Sequence, residues 1–464
     1  MLLALLMGMA GALCAQSETV QYGNEDLARD YSKSYKITIK SDKEVNTPVT
    51  LYSYLFGELN VVDNTTISKG KAIFSKNVPS ASKSDPSSLI PKGFYKLVCT
   101  DAYAIIEEGG ESASYNVEYG TSILLNQQTA VDLSVNRGKQ EFEVLNSDEN
   151  KILFTTERMM VRYENFSEAF QAGVELNSSA PQSFYAKYLS LNKEIVDAML
   201  SASFRFADIP ITEFHRIRSM ADFTDGRLCH SESLLFPMIR YYLTSNVLTV
   251  DEVIAEVDTI LVSAARGGRY QCGLYAQWLF NIFSNTNDPY YEPVMLHIYD
   301  TYDRGWIPED QERRIKRQMD RIRRLALGAQ IPELTAYDID GKQHSTNEIK
   351  TKYTVLWFWD PDCDHCQEMT PKLHELYQKQ ADTLNFEVFA VEVNNDYERW
   401  KSFSKKHGLD DWINLSTSMG EASVDFIDYF DIVTTPVILL IDNEKNHAII
   451  ARQSTLEEIV HLMK

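Results

Sequence analysis

Cysteine is scarce in this chain, six in 464 residues. That is too few, and too scattered, for a fold stapled by disulfides. Positive charge is also in deficit: 45 Lys and Arg stand against 66 Asp and Glu, for a net charge of −21. This argues against a nucleic-acid or anionic-membrane footprint, which needs clustered Lys and Arg, so no nucleic-acid partner is expected. Beyond residue 15 no run approaches the roughly 18 apolar residues needed to cross a bilayer, so a transmembrane protein is not expected. Internal repeats and low-complexity tracts are missing too. What remains is ordinary globular composition, 44 % hydrophobic and 24 % charged. At roughly 100–200 residues per domain, the length suggests two to four domains.

The first fifteen residues, MLLALLMGMAGALCA, are almost wholly apolar and end in small residues before Gln16. This is the pattern of a secretory signal, with cleavage expected after Ala15. A lipoprotein acylated at Cys14 is the alternative, but acylation wants a small residue before the Cys and Leu13 stands there. Periplasm or cell envelope is therefore the expected location. Removing Cys14 leaves Cys99, Cys229, Cys272, Cys363 and Cys366, of which only the last two are close in sequence.

Residues 16–30 are polar and expected to fray. From Tyr35 short alternating runs are broken by turn residues, as in Tyr35-Lys36-Ile37-Thr38-Ile39, Thr50–Tyr54, Ala72–Phe74 and Phe94–Val98. Strands of this length predict a β-sandwich module over 16–154. A helical period follows. Thr249 and Glu252 form a capping box ahead of Val253, Val257, Ile260 and Leu261. Further helices are predicted near 182–203, 232–245, 270–283, 291–303 and 308–327, giving an α-helical middle module over 155–327. The last carries Arg313, Arg314, Lys316, Arg317, Arg321, Arg323 and Arg324 outward. A solvated face paired with acidic neighbours is the plain reading; a dock for an acidic partner is the alternative. The aromatics of this module, Trp278 among them, are expected to be core, with a peptide- or partner-binding groove as the minor reading. From residue 328 to 464 strands and helices alternate, which predicts an α/β sheet. The expected fold class is thus multidomain, with β-sandwich, α-helical and α/β modules in that order.

Chemistry concentrates in Leu356-Trp357-Phe358-Trp359-Asp360-Pro361-Asp362-Cys363-Asp364-His365-Cys366. A strand runs into a turn, and the first cysteine opens a helix. A helix N-terminus carries partial positive charge and unpaired N–H groups, both of which stabilise a thiolate. Cys363 is the expected nucleophile and Cys366, one turn deeper, the resolving thiol. The rival readings are half of a zinc site, which lacks a second C-x-x-C, and a short structural disulfide. Cofactors and bound metals are not expected. Thr434-Thr435-Pro436-Val437 precedes an apolar strand, and an X-Pro bond in that setting is a candidate cis peptide. In a cis arrangement the Thr435 backbone and Pro436 would face the sulfurs and pair with substrate; an ordinary proline opening a strand is the rival reading. Trp359, Asp364 and His365 are expected to modulate the pair. Cys229 and His230, adjacent in sequence, point apart and form no dyad, and the single cysteines are expected to be buried apolar residues.

Pro332-Glu333-Leu334, Asp340-Gly341-Lys342, the Trp-rich strand, the C-x-x-C pair, Pro371 and Thr435-Pro436 together resemble the TlpA/ResA branch of the thioredoxin superfamily. The resemblance covers residues ~328–464. It implies a thioredoxin-like fold, a nucleophilic Cys363, a resolving Cys366, a cis Pro436, and protein or thiol substrates with a membrane or thioredoxin-like electron donor. Thioredoxin carries a buried proton-relaying Asp where Trp357 stands here; Glu392 is a candidate replacement, an exposed or strand-edge carboxylate being its plainer reading. ResA-like proteins carry a Glu where Met369 stands, and His365 between the sulfurs resembles oxidising DsbA-like motifs. Upstream, Gly70–Phe74, Gly93-Phe94-Tyr95, Asn146–Asn150 and Thr224–Leu228 resemble uncharacterised modules that precede thioredoxin domains in Bacteroidota envelope proteins. The expected function is an envelope thiol-disulfide oxidoreductase, in the reducing direction. A DsbA-like oxidase and a non-catalytic binding protein on a thioredoxin fold are the alternatives.

Overall fold

The structure, a computed structural model, describes residues 20–43, 46–78, 86–106, 112–286 and 288–464. The expected signal segment and Cys14 lie outside them. The chain forms two compact units, one up to Pro308 and one from Glu309 to Lys464.

The first unit starts with strands β1 Ser34–Ser41, β2 Thr47–Leu55, β3 Glu58–Ile67, β4 Lys71–Asn77, β5 Gly93–Ile106, β6 Ser112–Leu125, β7 Ala130–Asn136 and β8 Glu141–Val144. They make two four-stranded sheets, ordered β8-β7-β1-β4 and β3-β2-β5-β6. Period-2 alternation is why they form: in β1, Tyr35, Ile37 and Ile39 are buried while Lys36 and Lys40 are exposed. Strand β3 was not foreseen because it is an edge strand, exposed along nearly its whole length, and so carries no apolar alternation. The segment after Tyr22 is not frayed: the Gly23 N–H donates to Ala265 O at 2.7 Å, and Leu27–Asp30 forms a short helix with Asp30 buried. Polar composition hid an anchorage made by backbone groups.

Helices α1 Asp148–Met160, α2 Phe166–Leu176, α3 Phe184–Ser201, α4 Ile211–Ser219, α5 Leu235–Thr244, α6 Val250–Gly267, α7 Arg269–Ser284 and α8 Glu292–Thr301 complete this unit. The boundary expected at 154 falls inside α1. That helix is tied to β6 by the Asn150 amide, which bonds both Leu124 N and Leu124 O at 2.7 and 2.9 Å. One apolar core runs from Ile37, Leu51, Leu97 and Leu133 of the sheets into Leu153, Phe184 and Leu189 of the helices. The capping box of α6 forms as expected.

The second unit contains α9 Glu312–Leu325, β9 Thr335–Tyr337, β10 Gln343–Ser345, β11 Tyr353–Trp359, α10 Asp364–Leu384, β12 Phe386–Glu392, α11 Tyr397–His407, β13 Ile413–Ser416, α12 Phe426–Phe430, β14 Val437–Asp442, β15 Ala448–Arg452 and α13 Leu456–Met463. The basic helix α9, expected at the end of the middle module, counts with this unit. Leu325 packs with Phe426, Phe430 and Ile432, Arg321 pairs with Asp431, and the Arg324 guanidinium lies 5.0 Å from the Tyr429 ring centroid. One seven-stranded sheet, β10-β9-β13-β12-β11-β14-β15, runs through the unit. β11 is parallel to β12 and antiparallel to β14. All seven residues of β11 are buried, which is why it is a continuous apolar run rather than an alternating one. Side chains on one face form a core with Cys366, Leu373 and Trp400, and those on the other pack on Phe426 and Phe430.

Candidate functional site

Strand β11 ends at Trp359, and the chain turns through Asp360-Pro361-Asp362. The turn is self-bonded: Asp362 N–H donates to Asp360 Oδ1 at 2.8 Å and Cys363 N–H to Asp360 O at 3.2 Å. From the far side Arg399 of α11 pairs with Asp362. Cys363 is the N-cap of α10; its Sγ accepts the Cys366 N–H at 3.4 Å. This uses one of the donors that a helix start leaves unpaired.

Seventy-two residues further on, Thr435 meets it. The Cys363 thiol donates to Thr435 O at 3.1 Å, and the Thr435–Pro436 bond is cis. The register Phe358↔Val437 between β11 and β14 carries that loop to the end of β11 where the cysteine turn starts. The two motifs that the sequence separates are therefore neighbours.

The two sulfurs are unequal. Cys363 is partly exposed and Cys366 wholly buried, both as free thiols. Burial opposes ionisation of Cys363. Hydrogen bonds from the Thr435 side chain and from the Cys366 and His365 backbone outweigh it, and hold this thiol below the ordinary value. Burial pushes Cys366 up to about 12. The first thiol is thus the more readily ionised of the two.

Of the flanking residues, Asp364 and His365 are exposed in the first turn of α10. Trp359 is fully buried, with its ring 5.2 Å from that of Phe403. Trp357, where thioredoxin has its Asp, donates its indole N–H to Thr370 at 3.1 Å. Met369 packs against the same core as Cys366.

Glu392 is neither exposed nor at a strand edge, as its plainer sequence reading had it. It is wholly buried at the end of β12, opposite Trp359. Its carboxylate accepts from Ser416 Oγ and Asn394 N at 2.6 Å, and from Asp396 N at 3.3 Å. Burial raises its pKa against those bonds. A fully bonded carboxylate fixes the loop into α11, the helix that supplies Arg399. Sequence reasoning missed Arg399 because nothing in its spacing announces a partner 37 residues away. Among the described residues no group of three or more His, Cys, Asp or Glu is placed to hold a metal ion. None of their helices is long and apolar enough to cross a membrane.

Residues 351–447 match the Thioredoxin-like family model. That segment is a thioredoxin-like domain, and the chain is similar through part of its length to proteins named as thiol-disulfide oxidoreductases. The thiol-disulfide oxidoreductase ResA of Geobacillus thermodenitrificans is 27 % identical over 139 residues, which is 29 % of this chain and 75 % of that protein. The Bacillus anthracis ResA is 27 % identical over 86 residues, 18 % of this chain, so the chain spans about half of that relative's length. A solved domain of a possible thiol-disulfide isomerase from Cytophaga hutchinsonii is 32 % identical, covers 30 % of this chain and 91 % of that one, and superposes with a TM-score of 0.28.

Proposed function

We propose that this thioredoxin-like oxidoreductase exchanges disulfides with protein substrates through Cys363 and Cys366, in the reducing direction and in the cell envelope. The observation that carries the reading is the inequality of the two thiols: one partly exposed, at a helix N-cap against Thr435, the other buried. The Cys363 thiolate attacks one sulfur of a substrate disulfide, forming a mixed disulfide and releasing the other sulfur as a thiolate that takes up a proton. Cys366 then loses its proton and attacks Cys363 Sγ. The substrate leaves as a dithiol, and the enzyme holds a Cys363–Cys366 disulfide. An external dithiol donor, of the membrane or thioredoxin-like kind, returns the pair to the reduced form. Thr435 and Pro436 would line the extended substrate segment beside Cys363, and Asp364 and His365 would tune the pair from the first turn of α10. An amino-terminal export signal ending at Ala15 fits this setting, since the substrates must lie where disulfides form.

Insulin-disulfide reduction by the wild type and by Cys363→Ser tests the reading. Activity in the variant, or none in the wild type, rejects it. Equilibration of the pair with a glutathione series tests the direction: a potential near about −270 mV supports a reductase, and one near about −120 mV the DsbA-like oxidase instead.

A further inference from the structure

The first unit contains two adjoining cavities of about 460 and 480 Å³. Both are lined by Leu274 and Gln277, so they form one cleft along α7. The facing wall is the turn between β2 and β3. There Phe56 is held at φ 51°, in the left-handed region that bulky residues avoid. Its N–H donates to Cys229 O at 2.6 Å, and its ring stacks on Trp278 with centroids 4.7 Å apart. Strained backbone over-determined by its surroundings is a mark of working clefts.

Gln277, Asn281 and Asn285 line this cleft at every fourth residue of α7 and its C-cap. Four helical residues rise about 6 Å, and two residues of an extended chain advance about 6.7 Å. The amide repeat therefore keeps step with alternate residues of an extended polypeptide. Each amide offers an acceptor and two donors, the complement of a backbone N–H and C=O. The side-chain amides of all three make no hydrogen bond within the described residues. The charged groups, by contrast, are matched inside the protein: Arg240 with Glu58, Arg269 with Asp303, and the Glu25 carboxylate with the Tyr270 N–H. From Tyr270 to Asn285 the cleft follows the helix for about 22 Å, room for about six extended residues. A sugar ring would ask for an open aromatic face, and Trp278 is only 8 % exposed with Phe56 upon it.

We propose that the cleft along α7 binds an extended, uncharged polypeptide segment, its backbone paired with Gln277, Asn281 and Asn285. That the segment belongs to an unfolded substrate rests on the thiol-exchange reading; the binding itself does not. The test uses the full-length protein and a short, uncharged, fluorescein-labelled peptide whose cysteine is carboxamidomethylated, read by fluorescence anisotropy. Cys363→Ser/Cys366→Ser should bind it as the wild type does. Asn281→Ala/Asn285→Ala, at two exposed helix positions, should weaken binding more than tenfold with an unchanged circular dichroism spectrum. Gln277→Lys should do the same through an unmatched charge. The double variant should raise KM for reduced-protein formation from a disulfide-bonded protein while leaving the rate with a small disulfide unchanged. Equal peptide affinity in the double variant overturns the proposal, as does displacement of the peptide by a neutral oligosaccharide. If insulin reduction fails while the amide variants still lose the peptide, the thiol-exchange reading falls and this one stands.

Discussion

At Cys363 the geometry sets a rate. A thiol held below its ordinary value is a thiolate at lower pH, so iodoacetamide should alkylate this residue with a half-maximal pH below that of free cysteine. Cys366 should stay unmodified across that range until the protein unfolds, because burial holds its thiol up. Mass spectrometry of alkylated peptides reads both, and equal labelling of the two would contradict the structure. A second residue-scale expectation concerns Glu157, half-buried in the first unit. Burial and the neighbouring Glu232 carboxylate raise its pKa to about 8, and Glu232 is in turn bonded to Tyr54 Oη at 2.7 Å. A carboxyl whose folded pKa exceeds its unfolded value of about 4.3 favours folding most below that value. The contribution is lost as pH climbs through about 8. Urea midpoints should therefore fall between pH 6 and pH 9 in the wild type and less steeply in Glu157→Gln; parallel slopes would refute the assignment. The helix start at Cys363 and the cis Thr435–Pro436 bond were legible in the sequence, the one from a strand-to-helix turn and the other from an X-Pro bond ahead of an apolar strand. Arg399 was not: its pairing with Asp362 comes from a loop that meets the cysteine turn only in the folded chain.

Among the elements, α9 makes the clearest case for how far sequence carries. Its length and basic face were plain from period and charge, but its allegiance was not, since amphipathicity says that a helix is covered and never by what. Leu325 packs with Phe426 and Phe430, and Arg321 reaches Asp431, just ahead of the Thr435-Pro436 loop. Leu325→Ala should thus destabilise the second unit by about 2–5 kcal/mol in denaturant unfolding, the usual cost of emptying a leucine site. A change under about 0.5 kcal/mol would mean that the helix is a passive appendage. Three of the elements that sequence missed, β3, β13 and α12, share a cause. Each is short or exposed, and is held by neighbours rather than by its own alternation.

For the whole molecule, the division at Pro308 and Glu309 predicts that a fragment of residues 309–464 folds alone and keeps the full thiol reactivity of Cys363, measured with a chromogenic disulfide. Reactivity below a tenth of the parent's would show that the catalytic unit needs the rest of the chain. The three remaining described cysteines bear on a different matter. Cys99, Cys229 and Cys272 are 0–2 % exposed, and burial raises each of their thiols. A protein that trades electrons with its surroundings is always at risk of turning that traffic on itself, by scrambling or by oxidative damage. Here the spare sulfurs are locked away as inert filler, so among the described cysteines an oxidant in solution meets Cys363 first.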